Sequence, residues 1–350
     1  MLARDPSNER PATEADAPAG HASPEVGFGF TRRAFDPANG TLADAVAAAA
    51  RAAGPGTAGS GAMNSGGGTP PRLLPVLDGG LLIGRPDLEA EIARYFRARR
   101  PAGAEDLPPL TLPGGGPMKY GPAHTEELLN AIDRGGLADG AVVLVVGGGA
   151  TLDVTALAVS LCRARTGLVR MPSTTLSQAE ADPAWSGTVN SRGRKDFVTA
   201  APAAQTTVND LDLLRSLNPR DWRAGLSEAV KAAAWGDAEL FAQIERDAEP
   251  LARGAAEAGD ALWVRTAELH RAFGRPGTEG AAPAAGLYAA HGSAHRRERL
   301  SGYTVRHGEA VAIGLAIKAD YARAVGLMNT AAHRRLTERL HRLGFDLHHR

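Results

Sequence analysis

The chain has 350 residues, as many acidic as basic groups, 43% hydrophobic and 22% charged residues, and a single cysteine, Cys162. That length and apolar content suffice for two packed domains with a sizeable core, and zero net charge argues against a nucleic-acid partner. No run of eighteen apolar residues occurs, and the polar, acidic first 25 residues lack the basic start and apolar stretch of a secretion signal, so no membrane helix is expected and a cytoplasmic location is.

Residues 1–25 show no apolar periodicity and are expected to be disordered. Val26 to Phe30 reads as a strand and Leu42 to Ala53 as an Ala-rich helix, followed by a Gly/Ser/Pro stretch, 54–71, read as a flexible insertion. From Arg72 strands and helices alternate: LLPVLD ending at Asp78, the amphipathic PDLEAEIARYFRAR, PLTLP, the helical TEELLNAIDRGG, the uniformly apolar AVVLVV, the apolar helix VTALAVSLCRAR, then GLVRMPST and TTVND. Such alternation, with some strands wholly apolar, predicts a parallel sheet covered on both faces. Beyond Pro219 the pattern is nearly all helical, so the expected fold is α/β + α. A Rossmann-like parallel-sheet domain over 26–216 precedes a helical domain over 217–350.

Two constellations carry chemistry. In VLVVGGGATLD, Val143 to Asp153, a glycine turn leaves a buried strand and enters a helix, where backbone N–H groups and the helix dipole suit a phosphate. The spacing departs from GxGxxG, and a plain tight turn explains it equally well. Asp78, at the end of an earlier strand, is placed to accept from a ribose hydroxyl, or is simply a turn aspartate. In the helical half, Glu228 lies in GLSEAVK, His291 and His295 lie one helical turn apart in AAHGSAH, and His307 opens RHGEAVAIG. Two imidazoles and a carboxylate make a three-ligand site that leaves a metal one open position. His333, His341, His348 and His349 read as ordinary surface histidines.

GGGATLD, GLSEAVK, AHGSAHRRERLSGY and RHGEAVAIGL, in this order from roughly Leu73 to Ile317, resemble the 3-dehydroquinate synthase family of sugar phosphate cyclases. The phrasing around DWRAGLSEAVK and HGEAVAIG is nearer to its secondary-metabolite members. The resemblance implies an NAD-binding sheet domain, a helical metal-binding domain and a homodimer. Glu228, His291 and His307 match the zinc ligands, with cobalt or another divalent metal as substitutes. His295 matches the histidine that manages protons near the departing phosphate, and Lys231 an active-site lysine. Asp78, Lys119, Gly148, Gly149, Asp153, Ser173, Thr174 and Lys195 match NAD-contacting positions. The implied reaction oxidises an alcohol of a C7 sugar phosphate, eliminates phosphate, returns the hydride and closes the ring by aldol addition.

The departures gather at the substrate end. Glu180 stands at an aspartate position, Ser186 at a lysine position and Asp196 at an asparagine position, while Pro183 and Trp185 intrude between them. Ala284, Tyr288 and Gly116 replace an arginine, an asparagine and a glutamate, and Arg350 precedes the segment that carries a further family lysine. An altered phosphate pocket is therefore expected. The alternatives are an NAD- and metal-dependent polyol dehydrogenase, which needs no phosphate contacts, and a non-catalytic binding protein. Composition adds one clue: four lysines stand beside 35 arginines, and Lys119, Lys195 and Lys231 fall at the matched positions while Lys318 does not.

Overall fold

The structure, a computed structural model, describes residues 26–54, 72–99, 106–180, 186–202, 205–273 and 290–347. The expectations for residues 1–25 and 55–71, and for Pro183, Trp185, Ala284, Tyr288, His348 and His349, lie outside the described residues.

The strands are β1 (Val26–Thr31), β2 (Leu73–Asp78), β3 (Leu110–Leu112), β4 (Val142–Gly147), β5 (Gly167–Pro172), β6 (Gly187–Ser191), β7 (Arg194–Ala200) and β8 (Gln205–Asp210). Six of them form one sheet in the order β1-β8-β5-β4-β2-β3, and every neighbouring pair is parallel. Central strands β2, β4, β5 and β8 are buried along their whole length, which is why AVVLVV carries no polar alternation. Helices α1 (Thr41–Ala53), the short α2 (Gly79–Gly84) and α3 (Leu88–Arg99) cover one face. Helices α4 (Ala123–Arg134) and α5 (Gly149–Leu161) cover the other.

Helix α5 is buried continuously from Thr151 to Val159. The antiparallel hairpin β6–β7, which the sequence pattern did not reveal, closes over its outer side so tightly that a Cβ on Gly187 would meet the Leu157 backbone. A helix with sheet on one side and hairpin on the other has no polar face to show.

The chain leaves β2 for its outer neighbour β3 and returns to β4 on the opposite side. The loops after β2 and β4 therefore diverge, opening the crevice at the carboxyl edge where parallel α/β sheets bind ligands. Asp78 and the Gly147–Gly149 turn stand at this point.

After α6 (Thr175–Ala179) and β8, the helical half comprises α7 (Pro219–Gly236), α8 (Ala238–Arg246), α9 (Ala248–Ala252), α10 (Ala256–Phe273), α11 (His291–Leu300), α12 (His307–Ala324) and α13 (Thr330–Arg342). Its core packs around edge-to-face Trp222 and Trp263, 5.5 Å apart. ELFAQIERDAEPLA, expected as one helix, breaks at Asp247 into α8 and α9. Pro250 has no N–H to return to the Arg246 carbonyl, so the ladder stops there. Among the described residues no helix is long and apolar enough to cross a membrane.

Candidate metal and cofactor site

Close helix packing builds the first part of the site. Gly225 lets α7 press against α6, where a Cβ would stand 2.6 Å from Thr175, and the Thr175 hydroxyl accepts from the Gly225 N–H. This contact brings Glu180, just past the end of α6, beside Glu228 on α7. Gly308 does the same for α12: its Cα faces Ala224 of α7, and a Cβ would meet the Ala224 carbonyl oxygen at 2.3 Å. The start of α12 is fixed further by Glu309, which accepts from the Arg306 N–H at 3.0 Å and takes both arms of Arg220 at 2.6 and 2.8 Å. His307, the first residue of α12, is thereby held toward Glu228.

One ligand atom each from Glu180, Glu228, His291 and His307 lies within 4.8 Å of all the others. His291 Nε2 stands 3.2 Å from Glu180 Oε1 and 3.6 Å from Glu228 Oε1. Lys231, one turn along α7 and fully buried, sets its ammonium against Glu228 in an ion pair, 2.9 Å from His291 Nε2 and 3.8 Å from Glu180. Glu228 is likewise fully buried, its oxygens facing the Lys231 ammonium and the imidazoles of His291 and His270. One buried and one largely buried carboxylate with two imidazoles suit a divalent cation.

Electrostatics follow from this crowding. Burial opposes ionisation of Glu228, but Lys231 and His291 hold it well below the usual carboxylate range. Burial also works against the His291 imidazolium, yet Glu180 and Glu228 hold it up to about 9. His270, at the end of α10, lies 3.6 Å from Glu228; burial and the Lys231 charge push it down to about 4.

His295 shares a face of α11 with His291, and its ring lies 5.7 Å from that of His291 and 5.4 Å from that of His307. Burial, then the nearby Lys195 charge and His307, lower it to about 3, so it is uncharged at neutral pH. Glu298, one further turn along, takes His307 Nδ1 at 3.0 Å and Lys195 Nζ at 2.8 Å, and Lys195 lies 3.3 Å from the same imidazole nitrogen. A carboxylate on Nδ1 leaves Nε2 as the nitrogen for a metal. Lys195 thus stands against a histidine of the metal group, although the sequence resemblance assigned it to the cofactor.

At the carboxyl edge, Asp78 accepts from Gly80 and Leu81 N–H through one oxygen and from Gly148 N–H and the Thr151 hydroxyl through the other, at 2.6–3.3 Å. These four donors match the four lone-pair positions of a carboxylate, so Asp78 clamps the β2 and β4 loops together. A Cβ on Gly149 would meet nothing within 4 Å, leaving room for a ligand to approach the start of α5. Lys119, buried at the end of a 3-10 turn, pairs with Asp153 at 2.7 Å and Asp196 at 2.6 Å. Asp196 has φ of +51°, a left-handed conformation that Asn and Asp tolerate. Ser173 and Thr174 follow β5, the first donating its N–H to the Gly147 carbonyl and the second capping α6.

Residues 110–224 match the family model for the 3-dehydroquinate synthase N-terminal region, and residues 225–350 match the one for its C-terminal region. The chain belongs to the 3-dehydroquinate synthase family. It is 26% identical over 263 residues to a 3-dehydroquinate synthase of Rhodopseudomonas palustris (strain BisB18), covering 73% of this chain and 68% of that one. It is 33% identical over 223 residues to a 2-epi-valiolone synthase of Actinosynnema mirum, covering 63% of this chain and 58% of that one. Its fold matches ValA, a 2-epi-5-epi-valiolone synthase from Streptomyces hygroscopicus subsp. jinggangensis 5008 solved with NAD+ and Zn2+, with TM-score 0.77 at 24% identity, over 95% of this chain and 84% of that one.

Within the 3-dehydroquinate synthase frame, the residues singled out from sequence separate into two groups in space. Glu228, Lys231, His291, His295, His307 and Lys195 come together; Asp78, Lys119, Gly148, Gly149, Asp153, Ser173 and Thr174 line the carboxyl edge of the sheet. Glu298 and His270 were not anticipated. For Glu298 a signal existed: His291, His295 and Glu298 follow the i, i+4, i+7 spacing of one helical face. His270 had none, because its approach to Glu228 depends on how α10 packs against α7.

Proposed function

We propose that this chain is a phosphate-eliminating sugar phosphate cyclase acting on a C7 sugar phosphate, working as a cytoplasmic homodimer with NAD and a divalent metal such as zinc or cobalt. Glu228, His291 and His307 would hold the metal. NAD would lie along the turn at Gly148 and Gly149, with Asp78, Lys119, Asp153, Ser173 and Thr174 around it. Bound NAD takes up and returns a hydride, and the metal ion makes a substrate hydroxyl more acidic.

The chain's own residues supply the rest. Neutral His295 accepts a proton beside the new carbonyl and delivers one toward the departing phosphate. Glu298 fixes the His307 tautomer and position. Lys231 offsets the charge of the two carboxylates beside the metal. Ser186, where the family resemblance places a lysine, gives the phosphate one cation fewer, so the pocket would rely less on charge.

The convergence of Glu228, His291 and His307 with Lys231 and His295 carries this reading. The test is inorganic phosphate release by the purified, NAD- and cobalt-loaded protein from a heptulose 7-phosphate and from a heptulosonate 7-phosphate. Release from either without net NADH is expected. No release from both, with NADH accumulating on an unphosphorylated polyol, would replace the cyclase with a dehydrogenase.

A further inference from the structure

Glu180 has no task in the proposed reaction, yet it points its carboxylate into the metal group. It follows α6 directly, and the Thr175–Gly225 contact fixes α6 on α7. Its side chain is 15% exposed, and its oxygen lies within 4.8 Å of the ligand atoms of Glu228, His291 and His307. Metal–ligand bonds of about 2.0–2.2 Å place neighbouring ligand atoms about 2.9–3.5 Å apart, from octahedral to tetrahedral angles. Glu180 meets this spacing to His291 at 3.2 Å, whereas Glu228 stands just outside it at 3.6 Å. The aspartate that the family resemblance places here is one methylene shorter, so the added reach belongs to this chain.

We propose that Glu180 is a fourth protein ligand to the metal, completing a set of two carboxylates and two imidazoles. The assignment rests on the metal centre of the proposed cyclase. With four protein ligands, a substrate oxygen enters only by expansion to five or six ligands. The second carboxylate also moves the site toward ions at home with oxygen donors, such as manganese, iron(II) or cobalt, and away from zinc.

The test uses the full chain loaded with Co2+, whose visible bands report ligand number and type. Glu180→Gln keeps the length and hydrogen-bonding capacity of the side chain but removes the charged oxygen donor. Its cobalt bands are expected to shift, and chelator competition should show Co2+ held at least tenfold more weakly. Glu180→Asp, which keeps the charge and guards against a folding defect, should give the same shift by withdrawing the oxygen. Wild-type bands in both variants would overturn the assignment while leaving the metal centre intact. A wild-type chain that takes up no cobalt would overturn both the assignment and the metal centre of the cyclase.

Discussion

Lys231 holds the metal-free site together. Its ammonium and the Glu228 carboxylate are both fully buried, and removing one member of such a pair strands the other. Lys231→Met should therefore lower the stability of the metal-free protein by about 3 kcal/mol. Saturating Co2+ should recover most of that loss, because the ion then faces the same carboxylates. Urea unfolding with and without metal checks this, and an equal loss in both would speak against a shared cation position. Asp196 gives a second signature. Burial would raise its pKa, but Lys119, Lys195 and the Thr188 hydroxyl lower it to about 2. A depressed folded-state pKa contributes stability above the ordinary value near 3.8, which is lost as pH falls toward 2. Asp196→Asn should flatten melting temperature against pH in that window without abolishing the slope, since Glu298 is also held near 2.

Much of the element-level plan was written in the pattern of the chain. Uniformly apolar AVVLVV predicted a buried parallel strand because nothing polar can face a helix-covered sheet, and His291 and His295 predicted one face of α11 because four residues make a turn. The β6–β7 hairpin escaped notice because β7 is largely exposed and shows no clean alternation. Glu180 was legible only as an oddity, since its meeting with His291 depends on a close approach of α6 and α7 that no local spacing encodes. The glycines at such approaches are the testable part. Gly308→Ala puts a methyl group into the Ala224 carbonyl and must push the start of α12 outward. A loss of about 1–3 kcal/mol in urea unfolding is expected, with weaker metal binding because His307 moves with the helix. Metal affinity equal to wild type would show that His307 is not positioned by this contact.

Across the whole molecule, the sheet half and the helical half meet where the hairpin touches α11. Lys195 on β7 reaches Glu298, Arg299 donates to the Gly193 carbonyl at 3.5 Å, and Tyr120 packs on Tyr303 with ring centroids 4.6 Å apart. A charge-assisted bond contributes about 1.5–3 kcal/mol, so Glu298→Gln should speed amide hydrogen exchange in residues 187–200 by roughly tenfold or more. Unchanged exchange there would mean that α5 and the Lys119 turn hold the hairpin without this contact.

The lysines offer a last consequence, in covalent labelling. Lys231 is fully buried, Lys119 is enclosed between two aspartates that hold its ammonium charged, and Lys195 is locked to Glu298. Lys318, on α12, is partly exposed, and its partial burial lowers its pKa, giving it the readiest free amine of the four. An acylating reagent at mildly alkaline pH should therefore mark Lys318 first on the folded protein, with Lys119, Lys195 and Lys231 following only on unfolding. In a chain this poor in lysine, a peptide mass map of amine labelling becomes a direct reading of whether the site is assembled.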